Sequence, residues 1–64
     1  MNIQLPDLPN YKDREFAAEV NGQKMRVILR SVDSKNAHIT NYYHPAHIFK
    51  MKLSSFLSKF SLVP

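Results

Sequence analysis

A chain of 64 residues with no cysteine and one glycine is sized for one domain, has no disulfide to brace it and excludes a thiol-ligated zinc site. Nine Lys and Arg against five Asp and Glu leave a net charge of +4, which points toward acidic partners: nucleic acid, an acidic protein surface or anionic lipid. Hydrophobic residues make up 44% of the chain, enough for a folded core, yet no apolar run approaches the ~20 residues that cross a bilayer.

The N-terminal MNIQLPDLPN lacks the charged start and apolar centre of a secretory leader, so none is expected. Pro6 and Pro9 each remove a backbone donor and restrict the residue before them, which argues against a long helix. Residues 1–12 read as an extended arm or short edge strand, with Ile3, Leu5 and Leu8 placed to lie against a core. The rest, 13–64, reads as a single small β-rich domain.

The next segment, REFAAEV-NG-QKMRVILRSV, is a hairpin. Asn21-Gly22 suits a type I′ turn, which needs positive φ at both central residues, and a two-residue loop fixes the register. Val20 then faces Gln23, Ala18 faces Met25 and Phe16 faces Val27, forming one largely apolar face. The other face pairs Glu19 with Lys24 and Ala17 with Arg26. DSKN at 33–36 is turn-like, and AHITNYY reads as a third strand rich in β-branched and aromatic residues, ended or bent by Pro45.

IFKMKLSSFLSKFSLV at 48–63 fits two periods. As a helix from Ala46 to Phe60, it gathers residues 46, 49, 53, 56, 57 and 60 on one face, with Pro45 at the first helical position. That places Ile48 and Met51 on the polar side and spends Ser54, Ser55 and Ser58 where stronger helix formers belong. As a strand, Phe49, Met51 and Leu53 point one way and Lys50 and Lys52 the other. A short turn starting near Ser54 then carries Phe56, and Phe60 and Val63 return to the core.

The tail spacing Met51, Phe56, Phe60, Val63, preceded by Tyr11, Asp13, Gly22, Met25 and Val27, resembles a family of short enterobacterial prophage proteins of unknown function. The resemblance implies a small SH3-like barrel. The chain departs from the pattern at NYYHP, where a second glycine is usual before the central tyrosine. LPDLPN followed by NGQKMRVILR is also similar to the opening of phage baseplate plug proteins, although the remaining chain is too short for the rest of that domain. The fold expectation is therefore mainly β, an SH3-like barrel with one short helical turn near 54–59. The alternative is α+β, a three-stranded antiparallel meander with a C-terminal amphipathic helix.

Little in the chain suggests catalysis. The five carboxylates are scattered or paired across the hairpin, no nucleophile-elbow sequence surrounds a serine, and one glycine builds no phosphate loop. No enzyme activity and no cofactor are expected. His38, His44 and His47 are the only imidazoles. The HPAH spacing of the last two brings them together only in a helix, without a third ligand, so no metal site is expected.

Basic and aromatic residues carry the first functional reading. Lys24, Arg26 and Arg30 share a face of the second strand, and Lys50 and Lys52 alternate outward on the fourth. Together they form a basic sheet face that tracks phosphates, with Tyr42, Tyr43 and His44 stacking on unpaired DNA or RNA bases. That makes the chain a small, non-catalytic, cytoplasmic nucleic-acid-binding module of phage or prophage origin. The alternative is a phage protein that binds and modulates an acidic host or virion protein, using the same tyrosines and arginines at an interface or an exposed edge strand. Membrane association is not expected, because the core needs the phenylalanines, whereas a homodimer through an exposed edge is open.

Overall fold

The computed structural model describes residues 3–63, with the backbone alone for Leu5. A 3-10 helix, Leu5–Tyr11, is followed by strands β1 (Glu15–Val20), β2 (Gln23–Val32), β3 (Asn36–Asn41) and β4 (His44–Lys52), helix α1 (Leu53–Lys59) and strand β5 (Ser61–Leu62). The strands pair antiparallel in one sheet of order β4-β3-β2-β1-β5.

That order corrects the barrel expectation. An SH3-like barrel requires the two ends of the sheet to meet, but β4 and β5 stand at opposite ends and no pairing joins them. β5 pairs with β1 alone, through Phe16↔Leu62 and Ala17↔Ser61; two residues supply too few hydrogen bonds to draw the sheet shut. The domain is mainly β, an open five-stranded sheet with one short helix. The meander with a long C-terminal helix is overturned as well, because residues 44–52 are strand and the helix occupies only Leu53–Lys59.

The hairpin register is the expected one: Val20↔Gln23, Ala18↔Met25, Phe16↔Val27, Glu19↔Lys24 and Ala17↔Arg26. Asn21 (φ 53°) and Gly22 (φ 79°) both take positive φ, as a type I′ turn demands. The next connection is an Asx turn. Asp33 Oδ1 accepts from the backbone N–H of Lys35 (2.8 Å) and Asn36 (2.6 Å). β3 ends at Asn41, earlier than expected, because Asn41 Oδ1 accepts the Tyr43 N–H (2.8 Å) and the two tyrosines form the turn. The β3–β4 ladder then jumps from Thr40↔Ile48 to Asn41↔His44, so Pro45, Ala46 and His47 bulge out of pairing. A proline at a bulge removes no ladder bond.

One face of the sheet is closed over by the 3-10 helix and α1. Leu8, Phe16, Val27, Leu29, Ala37, Ile39, Phe56 and Phe60 are buried there, with Ala18. Phe56 stands 4.9 Å from Phe16 and 5.2 Å from Phe60, ring centre to ring centre. The N-terminal segment was expected extended. It instead forms 3-10 turns that bury Leu8 completely, with Ile3 partly buried against the core; Leu5's expected core contact lies outside the described residues.

Thr40 is the one buried polar side chain whose oxygen finds no partner among the described residues. It lies directly opposite Ile28 on one side and Ile48 on the other. A buried, unsatisfied hydroxyl costs on the order of 1–3 kcal/mol, and an apolar group of the same shape avoids that cost. Thr40→Val is therefore expected to stabilise the domain by about 1 kcal/mol. A thermal melt with an unchanged or lowered midpoint would show that the hydroxyl is satisfied in solution.

Candidate functional site

The three cations of β2 expected on a basic face each have an acidic neighbour. Arg26 donates from Nε and Nη2 to Glu15 Oε2 and Oε1, at 2.6 and 2.8 Å. Its guanidinium also lies 4.0 Å from the centre of the Tyr42 ring and 6.0 Å from that of Tyr43. The two tyrosine rings meet edge to face at 5.3 Å. The hydrogen bond to Arg26 holds the Glu15 carboxyl below its usual value, and the bonds to Glu15 and Tyr43 push Arg26 further up. The arginine is thus clamped in a bidentate pair under an aromatic ring, with its fork already engaged.

Arg30 lies 3.4 Å from Asp13, and Lys24 sits directly across from Glu19. Each β2 cation therefore has a carboxylate neighbour, and the face is mixed in sign. Both partner sets follow from the hairpin. Ala17 opposite Arg26 leaves Glu15 and Glu19 as its diagonal neighbours, within reach of a long side chain. The strand register also separates the expected set. Arg26 lies beside the Tyr42-Tyr43 turn, while Lys52 pairs with Asn36 at the far end of β3. His44 opens β4 and is exposed; His47 packs its ring 4.6 Å from Phe49. The β2 part of the face expected to track phosphates is therefore mixed in sign, while Lys50 and Lys52 on β4 have no carboxylate on their own strand.

His38 is taken up elsewhere. Its Nε2 lies 2.8 Å from Asp33 Oδ2. That bond, with the backbone N–H of Lys35 and Asn36, pulls Asp33 down to about 2 from an ordinary 3.8. The folded value lies below the unfolded one, so the stabilisation is complete above about pH 4 and is lost as pH falls through about 2. Wild type is expected to melt above Asp33→Asn at pH 5, and the two midpoints to converge near pH 2. A gap that stays constant over that range would mean the carboxylate charge plays no part.

A different surface was not foreseen. β2 pairs with β3 only from Val27 onward, so the hairpin tip overhangs the third strand and its inner face loses its cover. Val20 and Met25 are left 49% and 41% exposed, and Phe49 on β4 is 45% exposed. All three face the same open groove of about 720 Å³, floored by Ala18, Val27, Ile39 and Phe60 and bounded by Lys59 of α1. Large apolar side chains on the core side of a sheet, half open to water, are the feature that marks an interaction surface. The signal available in the sequence was the length mismatch between a ten-residue β2 and a six-residue β3, legible only once the Tyr42-Tyr43 turn is known to end β3.

Comparison with family models, with curated proteins and with solved structures gave no match. The resemblance to prophage proteins gains nothing from them and loses nothing.

Proposed function

We propose that this is a non-catalytic, cytoplasmic protein-binding module whose docking site is the groove between the hairpin tip, β4 and α1. The observation that carries this reading is the half-exposed trio Val20, Met25 and Phe49 lining one groove. A phosphate backbone gains little from such a surface, whereas an apolar side chain from a partner protein is desolvated by it. The occupant is an apolar segment of an acidic protein, since the chain carries a net charge of +4. Glu19 and Lys59 both line the groove, so the net positive charge of the chain as a whole steers association more than it tightens it.

The test is capture from lysate of the producing cell, after nuclease treatment, on wild type, Met25→Asp and Phe49→Asp. Both variants change exposed side chains and are expected to keep wild-type amide spectra. One stoichiometric protein retained by wild type and lost by both variants supports the reading. Amide shifts on adding short DNA or RNA, weakening steeply with salt, would replace it with nucleic-acid binding, as would capture that nuclease abolishes.

A further inference from the structure

β4 is the last strand of the sheet: one edge pairs with β3, and no strand of the described residues takes the other. The bulge at Pro45–His47 spoils the start of that edge, but Ile48–Lys52 run in continuous register with β3. Five regular residues with unpaired backbone groups are a template for another strand. β5, at the opposite end, is two residues long and offers no comparable edge.

The side chains along this edge define what fits it. Phe49 and Met51 line the groove on the inner face. Ile48, Lys50 and Lys52 lie on the outer face, opposite Thr40, His38 and Asn36. β4 contains no carboxylate. Asp33, in the turn before β3, is already bonded to His38, the residue opposite Lys50, and to two backbone N–H groups. Lys35 and Lys52 line one further depression at the end of the strand. The edge is thus apolar toward the groove and positive on the other side.

We infer that the partner binds as an extended segment added to the free edge of β4. Its alternate residues are apolar beside Phe49 and Met51 and acidic beside Lys50 and Lys52. Backbone hydrogen bonds supply the framework and the alternation supplies selectivity. A second copy of this chain fits less well, because its own edge presents the same lysines and no acids. The inference rests on the protein-binding reading and adds its mode: strand pairing with an alternating apolar–acidic segment.

The test uses three synthetic peptides of seven residues: alternating Val and Glu, alternating Val and Lys, and the Val–Glu peptide with a central proline. The Val–Glu peptide is expected to slow hydrogen exchange at the outward amides of residues 48–52. The Val–Lys and proline peptides are expected to bind at least about tenfold more weakly. Lys50→Glu with Lys52→Glu is expected to reverse the preference, because opposite charges across strands favour pairing and like charges oppose it. No protection by any peptide at millimolar concentration overturns the inference, as does protection that grows with protein concentration alone, which assigns the edge to a second copy. If the captured protein is lost from Phe49→Asp yet unaffected by the double lysine reversal, the groove reading stands and strand addition falls. If neither change affects capture, both fall.

Discussion

Phe56→Ala is expected to unfold the domain at room temperature or leave it barely folded. Phe56 is fully buried and its ring joins the β1 side of the core, through Phe16, to the C-terminal side, through Phe60. Truncating a buried phenylalanine costs roughly 3–5 kcal/mol, as lost transfer energy plus the cavity left behind. A chain of this length has a total stability on the order of 3–10 kcal/mol, so the loss takes much or all of it. Each kcal/mol moves the midpoint by roughly 4–8 °C in a domain this small; the shift should therefore exceed about 12 °C. Phe56→Leu, which keeps most of the volume, should fold and melt between the two. A cooperative Phe56→Ala melt within a few degrees of wild type would mean that α1 packs loosely and that the core lies elsewhere.

The same residue shows why the C-terminal stretch was hard to read. Ile48–Lys52 alternate in and out as a strand, while Leu53–Lys59 repeat as two turns of helix, so both periods are present and the boundary falls between Lys52 and Leu53. No side-chain cap marks it: the helix begins without a capping hydrogen bond. Phe56 and Phe60 sit at positions common to both schemes, which is why their core role was legible when their secondary structure was not; Val63, expected to return to the core, is half-buried outside the core cluster. The hairpin was legible in full because turn chemistry and alternation agree on one register. Openness of the sheet was not, since closure depends on how far β5 extends and nothing local to the sequence fixes that. The acidic partners of the β2 cations were illegible for a related reason. Basic residues were read along their own strands, and Glu15 became Arg26's partner only through a diagonal across two of them.

Leu8→Ala is expected to destabilise the domain by about 2–5 kcal/mol, and removal of residues 1–12 to prevent folding. Pro6 and Pro9 suggest an extended arm outside the domain. Proline fixes φ near −65°, however, and that value serves a 3-10 turn as well as an extended one; only ψ distinguishes them. Burial decides in favour of the turn. In it, Leu8 reaches zero exposure in the core and Tyr11 packs beside it, half-buried. The backbone ties the segment down just beyond, where Asp13 donates to Leu29 O (2.6 Å) and Leu29 donates to Arg14 O (3.1 Å). Removing the segment uncovers apolar surface on β2 and α1, the two elements it packs against. Such a loss weighs heavily in a domain with no disulfide and a small core. Chemical denaturation of Leu8→Ala, and the amide spectrum of residues 13–64 alone, check this directly. A well-dispersed spectrum from the truncated chain would make the segment a dispensable arm after all, and Leu8→Ala would then cost little.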